Sequence, residues 1–203
     1  MVTRPLLIAY ALLGIFVISW HVTGIRQGRT VATPHRRRER LYTLFIVLGW
    51  ALIVMPPGKP MTPKLWTAPS SVDWAMLGVI VAGFAFCWWA RLHLGRLWSA
   101  SVSHKEGHRI VDTGPYRLVR HPIYTGFIVS YAGLAIICAT ALAISAVGFF
   151  VIGLWLKGRL EEQFLSDELG AASYATYKTQ TPMLVPRLPR PRRPVAPGQR
   201  DAG

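Results

Sequence analysis

The chain has 203 residues, 52% of them hydrophobic and only 16% charged, with 23 Lys and Arg against 9 Asp and Glu for a formal net charge of +14. The apolar residues gather in long uninterrupted runs instead of the short stripes of a soluble core, which excludes an ordinary soluble domain and indicates an integral membrane protein. The basic charges are divided among the segments flanking those runs, a pattern that suits anionic lipid headgroups and not a nucleic acid.

Spans are expected wherever about 20 consecutive residues are apolar. In chain order these are 5–24, 41–55 and 72–90, followed by an uncharged block over 123–156. The block is too long for one helix and just long enough for two of about 17 residues each. It reads as a helical hairpin turning near Ala139, Thr140 and Ala141, which gives five spans in an all-α fold. A cleaved signal peptide is the other reading of the first run, but its basic cluster follows the apolar stretch and no small-residue cleavage site is evident.

Lys and Arg counts set an orientation, because positive charge accumulates in cytoplasmic loops. One precedes the first span, six lie in 26–40, two in 56–70, six in 91–120 and eight after the hairpin. That alternation predicts the N-terminus outside and the C-terminus in the cytoplasm. The connection over 56–70 holds five prolines and a glycine and is expected to be an external loop with at most a turn or short helix. Cys87 and Cys138 are placed at different depths, separated by about 22 Å along the third span at 1.5 Å per residue, so they read as small packing residues and not as a disulfide.

No repeat and no strand-like alternation is visible. From 157 to 178 the pattern is amphipathic and helical, with Leu160, Phe164, Leu165 and Leu169 interleaved with acids, and Gly170 is expected to interrupt it. The run after Pro189 cannot bury enough apolar area to offset its ordering entropy and reads as a disordered basic tail. The chain thus divides into two N-terminal spans with their loops (1–71), a three-span core with cytosolic segments (72–188) and the tail (189–203).

Polar chemistry is concentrated in "DTGPYRLVRHPIYTG", residues 112–126, and in the segment after residue 156. The hairpin topology forces these two to emerge side by side at one membrane face. Gly114-Pro115 reads as a turn and Pro122 as the first helical residue, where its missing N–H costs little. His121 then stands beside free backbone N–H groups at the positive end of a helix, a place suited to an anion. Arg117 and Arg120 could share a face with it if the piece is helical. The adjacent acids Glu161 and Glu162, one turn beyond a membrane helix, either serve a ligand or pair with Arg159 or Arg120. Together these residues suggest a pocket for a carboxylate or phosphate at the cytosolic face.

The set "LGRLWS" (94–99), "GPYRLVRHPIYTG" (114–126), "RLEEQFL" (159–165) and "YATYKTQTPMLVPRL" resembles the isoprenylcysteine carboxyl methyltransferase family, related to the phospholipid N-methyltransferases. The resemblance covers about 88–188. It implies a membrane methyltransferase using S-adenosyl-L-methionine, with Gly114, Tyr116, His121, Pro122, Tyr124, Gly126, Glu161 and Glu162 at the cofactor. The ligand's chemistry agrees with this set: its carboxylate suits His121 and free amides, its ammonium suits Glu161 or Glu162, and its sulfonium tolerates the face of Tyr116 or Tyr124. Arg120 or Arg91 is assigned to steering an anionic acceptor, which is expected to be lipidic and to arrive from the bilayer. Carboxylate O-methylation is favoured, and amine N-methylation is possible. No Gly-rich strand-to-helix turn is present, which excludes a soluble Rossmann-type enzyme.

Three other readings compete. A membrane sterol-type reductase is similar in its C-terminal helices but usually has more spans. A non-catalytic membrane scaffold has no need of the motif set. A metal site at His104 and His108, with Glu106 between them and His93 as a further ligand, is opposed by Gly107, and no metal is expected. Trp88, Trp89 and Trp98, with Trp66 and Trp74 on the other side, read as interfacial belts. Tyr174 and Tyr177 are expected to pack the C-terminal segment against the bundle, with a cofactor contact possible.

Overall fold

The computed structural model describes residues 3–24, 30–32, 36–55, 57, 62–98, 104–105, 110–169 and 171–186. The tail over 189–203 and Glu106, Gly107 and His108 of the proposed metal motif lie outside the described residues.

Among the described residues there are six helices: α1 (Arg4–Gly24), α2 (Arg36–Ile53), α3 (Ser70–Leu94), α4 (Pro122–Cys138), α5 (Ala141–Leu169) and α6 (Ala171–Gln180). Three of them, α1, α3 and α5, are long and apolar enough to cross a membrane, and α4 is a shorter apolar helix. The second expected span is the apolar part of α2, which begins five residues earlier with the basic run Arg36, Arg37 and Arg38. The hairpin turn falls where it was expected. Ala139 adopts the left-handed conformation (φ 54°) and ends α4 by donating its N–H to the Ala135 carbonyl.

One correction concerns the connections. The fold is not wholly without strands, because β1 (Thr30–Ala32) pairs antiparallel with β2 (His104–Lys105). Too short to show alternation, such a ladder leaves no pattern in the sequence. It joins the α1–α2 and α3–α4 connections, which therefore lie on one side of the bundle. On the opposite side Leu65 N–H donates to the Ala139 carbonyl at 2.7 Å, tying the α2–α3 loop to the hairpin turn. Successive connections thus alternate between the two ends. α5 runs without interruption from the apolar block through the amphipathic segment to Leu169, just before Gly170, so its last turns carry polar chemistry on the same rigid rod.

Lipid tails are as apolar as leucine, so close packing and polar contacts, not water exclusion, hold such helices together. Large apolar side chains including Leu7, Ile15, Val22, Leu44 and Ile152 stay exposed on the rim. Inside, Phe16 stacks on Phe84 at 4.2 Å between ring centroids and Tyr131 on Phe150 at 4.1 Å. The crossing of α3 and α4 depends on small residues. A Cβ on Gly126 would lie 2.5 Å from Cys87 Sγ and 2.6 Å from the Gly83 carbonyl oxygen. Ser130 Oγ donates to the Ile80 carbonyl and Cys87 Sγ to that of Ile123 across the same interface. Cys87 and Cys138 are both buried and unbridged.

Candidate active site

The turn before α4 is built first from backbone. Gly114 takes a left-handed φ of 56° and opens a 3-10 turn, Gly114–Arg117. A side chain there would meet both that conformational penalty and the His93 ring, 2.7 Å from an ideal Cβ. His93 Nε2 in turn reaches Thr113 Oγ1 at 2.9 Å and its ring stacks near Tyr116. Beyond the turn the chain extends through Arg120 and His121, and Pro122 is the first residue of α4. The imidazole of His121 lies flat on the Tyr124 ring, 5.1 Å between centroids and 2° from parallel.

Against this turn α5 presents Lys157, Gly158, Glu161 and Glu162, one helical turn of polar residues. The absence of a side chain at Gly158 lets His121 and Met183 approach the α5 backbone; an ideal Cβ would lie 3.3 Å from His121 Nε2 and 2.6 Å from Met183 Cε. His121 consequently sits between the two acids, with Nδ1 3.4 Å from Glu161 Oε2 and Nε2 3.1 Å from Glu162 Oε1. Tyr124 donates its hydroxyl to Glu161 Oε1 at 2.6 Å. Arg120 Nε donates to Glu162 Oε1 at 2.7 Å, and Lys178 Nζ lies 3.4 Å from Glu162 Oε2. Burial opposes a charge on the His121 ring, but its hydrogen bonds to Glu161 and Glu162 outweigh that and hold its pKa above the ordinary value.

The C-terminal segment completes the site in a way the sequence did not announce. Residues 181–184 cross over the start of α4: Arg120 N–H donates to the Pro182 carbonyl at 2.8 Å, His121 N–H to that of Met183 at 3.1 Å, and Thr125 Oγ1 to that of Leu184 at 2.6 Å. Arg120 Nη1 donates to the carbonyls of Lys178 and Thr181. The strap thus engages the amides of Arg120 and His121, which precede the helix, whereas the first-turn amides of Ile123 and Tyr124 at the positive end of α4 are not among its partners. Carbonyl acceptors carry no side-chain signature, so nothing in the sequence marked them.

The site residues expected from sequence divide into three groups. His121, Tyr124, Glu161, Glu162 and Arg120 form one connected network. Pro122 and Gly114 shape its backbone, and the buried Tyr116 supports it: Tyr177 donates its hydroxyl to the Tyr116 carbonyl at 2.7 Å, fixing α6 to the turn as expected. Gly126 and Arg91 lie apart. Gly126 is in the α3–α4 crossing, where closeness of helices accounts for it. Arg91 is buried near the end of α3, with Trp20, Trp88 and Trp98 about its guanidinium. The belt reading is thereby corrected for Trp88 and Trp98, whereas Trp66, Trp74 and Trp89 remain exposed. Arg117 does not share a face with Arg120; it is exposed while Arg120 turns inward. Of the two pairings open for the acids, Arg120 is the observed one, and Arg159 instead lies over Trp155 at 5.5 Å.

Lys157 was missed as a site residue. It is buried, 4.0 Å from Glu161, with its ammonium over the rings of Tyr124 and Tyr42. Its i, i+4 spacing to Glu161 was the available signal. Beside Glu162 a cleft of about 560 Å³ opens between α2, α5 and α6, apolar at Leu41, Leu156 and Leu160 and polar at Arg159, Asp167 and Lys178. That volume lies within the usual range for a cofactor-sized ligand.

Residues 76–166, which hold the turn, α4 and both acids, match the isoprenylcysteine carboxyl methyltransferase (ICMT) family. Over 154 residues it is 29% identical to a cobalt-zinc-cadmium resistance protein of Cupriavidus metallidurans, covering 74% of this chain and 65% of the relative. It is 28% identical over 142 residues to methanethiol S-methyltransferase 2 of Bradyrhizobium diazoefficiens, covering 64% and 52%. With protein-S-isoprenylcysteine O-methyltransferase B of Arabidopsis thaliana it shares 32% over 89 residues, covering 42% and 43%. The chain thus spans between two fifths and two thirds of the length of these relatives.

Proposed function

We propose that this protein is a multi-pass membrane methyltransferase that moves a methyl group from S-adenosyl-L-methionine to a lipidic acceptor. The observation that carries the proposal is the adjacent acids Glu161 and Glu162, the first half-buried and the second buried, near the end of a membrane-length helix and bridged by His121. Such a dense set of charges at an apolar border costs desolvation that a purely structural role could avoid with apolar residues. The relatives' names support the reaction class: one is named for methyl transfer to an isoprenylcysteine oxygen, another for transfer to methanethiol sulfur. The acceptor thus differs among relatives, and a carboxylate is the favoured acceptor here, with an amine second.

The residues fit the donor's chemistry. Its ammonium and ribose hydroxyls call for acceptors, which Glu161 and Glu162 supply, and its carboxylate calls for cations, which Arg159 and Lys178 supply at the cleft while His121 stands behind Glu162 with both ring nitrogens on the acids. The Tyr124 ring, already faced by the Lys157 ammonium, tolerates positive charge. When bound, the donor supplies a methyl on a sulfonium, an in-line displacement that needs little acid or base help toward a carboxylate. This chain's own contribution is then positioning and exclusion of water. Arg120, held on three sides by Glu162, Lys178 and Thr181, fixes the strap and the acid rather than being free to swing toward an acceptor.

In the membrane, five spans with the N-terminus outside place this network at the cytosolic face, where a soluble donor has access. The deciding experiment is incubation of the purified full chain and lipid extracts with tritiated-methyl S-adenosyl-L-methionine. A labelled lipid product is expected. Oxidation of a reduced nicotinamide dinucleotide with no methyl incorporation would replace this reading with a reductase, and no saturable donor binding at all would replace it with a scaffold.

A further inference from the structure

Among the described residues, Arg91 is a buried cation without a counter-ion. It is 6% exposed, and among the described residues no carboxylate lies within ion-pair distance of it. Its guanidinium lies 3.7 Å from the Trp98 ring centroid, 4.2 Å from that of Trp20 and 5.4 Å from that of Trp88. Nη1 donates to the Trp20 carbonyl at 2.7 Å, in the last turns of α1. Nη2 is buried and has no hydrogen-bond partner. Aromatic faces attract a cation, but they do not accept the in-plane N–H bonds that a guanidinium carries at its edge. Buried charges are normally paired, and a buried donor left open costs about 1–3 kcal/mol.

The place of the cage indicates what it takes. Arg91 stands three residues before the end of α3, and Trp20 four before the end of α1, so the cage lies about 5 Å inside the ends of two membrane-length helices at 1.5 Å per residue. A small hydrated anion would have to shed its water to reach it. An anion that already lives at the hydrocarbon border, with its tail left in the lipid beside the exposed Trp89 and Leu92 of the same helix end, would not. We propose that Arg91 with Trp20, Trp88 and Trp98 forms a second binding site, which takes the carboxylate or phosphate head of a membrane amphiphile at Nη2. The site is not isolated from the charge network, since Trp98 packs in the same cluster as Tyr116 and Tyr124. An occupied cage would therefore brace the wall behind His121.

This inference does not need methyl transfer to occur, and its readout is independent of activity. The tryptophans of the cage report directly when a heavy atom lies against them. The full chain in neutral detergent is titrated with 4,5-dibromododecanoate, whose bromines lie close to the carboxylate, and separately with its methyl ester. Saturable fluorescence quenching by the acid is expected, at least tenfold tighter than by the ester. Arg91→Met should weaken the acid's effect at least tenfold and leave the ester unchanged. Trp98→Phe, which keeps the cation, should reduce the quenching amplitude. Equal quenching by acid and ester, or an undiminished amplitude in folded Trp98→Phe, would overturn the proposal even if Arg91→Met failed to fold. Adding labelled S-adenosyl-L-methionine separates the two sources of such a head. Labelled ester from the bound acid identifies an acceptor, whereas displacement of the acid by phosphatidylglycerol without label identifies a structural lipid. Absence of donor binding with the quench intact would sink the methyltransferase reading alone.

Discussion

At the scale of single residues, the site is a set of acids whose partners are now known, and this sharpens what their removal should do. Glu162 accepts from Arg120 and His121 and pairs with Lys178, while Glu161 accepts from Tyr124 and faces His121 and Lys157. Replacing either by Gln keeps the shape and removes the charge. A lost charge-assisted hydrogen bond is worth roughly 1.5–3 kcal/mol, so donor affinity should fall about ten- to a hundredfold in Glu161→Gln or Glu162→Gln. Calorimetric titration with S-adenosylhomocysteine checks this, and unchanged affinity in both variants would reduce the acids to internal ion pairing. His121 gives a second test through pH. Its folded-state pKa is raised above the ordinary value of about 6.5, so the stability it contributes is fully present below that value and is lost as pH rises through the raised one. The melting temperature of the wild type should accordingly decline with rising pH over that window. His121→Gln should melt with a flatter dependence there, and parallel curves for the two proteins would remove His121 as the titrating bridge.

At the scale of elements, the α3–α4 crossing fixes the helix that the turn leads into, and it was only half legible. The helices themselves, the hairpin turn at Ala139 and the start of α4 at Pro122 could be read from apolar runs and from Gly and Pro, because those signals are local. Which glycines serve packing and which serve a ligand could not be read, because the distinction depends on a partner helix distant in sequence. Gly126 belongs to a motif but lies against Gly83 and Cys87 of α3. Gly126→Ala should therefore destabilise the protein by about 1–3 kcal/mol, the usual cost of overpacking a filled interface. Gly78, on α3 with no atom within 4 Å of an ideal Cβ, supplies the contrast. Gly78→Ala should be neutral or stabilising by up to about 1 kcal/mol, since it only removes a helix-disfavouring glycine. Thermal melting in one detergent compares the pair. Equal shifts would mean that the crossing tolerates more than its geometry implies. The strap over 181–184 was illegible for another reason: its contribution is made by carbonyls, which every residue possesses.

At the scale of the whole molecule, the sequence pattern and the fold meet in the sidedness of the loops. Charge counting assigned the connections after α1 and α3 to one side and those after α2 and the hairpin turn to the other. The structure ties the first pair together through the β1–β2 ladder and the second pair through Leu65 and Ala139. The two arguments are independent, since one rests on lysines and arginines and the other on backbone hydrogen bonds. Which side faces the cytoplasm rests on the charge count alone: 14 basic residues are expected there up to residue 159, counting 26–40, 91–120, Lys157 and Arg159, against three outside. The two native cysteines are buried, so they leave a low background for labelling. Cysteines introduced as Gln27→Cys and Gln199→Cys should resist a membrane-impermeant maleimide in intact cells and react after permeabilisation. Lys59→Cys should react in intact cells. If Gln27→Cys labels freely and Lys59→Cys does not, the protein is inverted and the acidic network faces away from the cytosolic donor, which would end the methyltransferase proposal in its present form. If Gln27→Cys and Gln199→Cys label on opposite sides, the spans are not five.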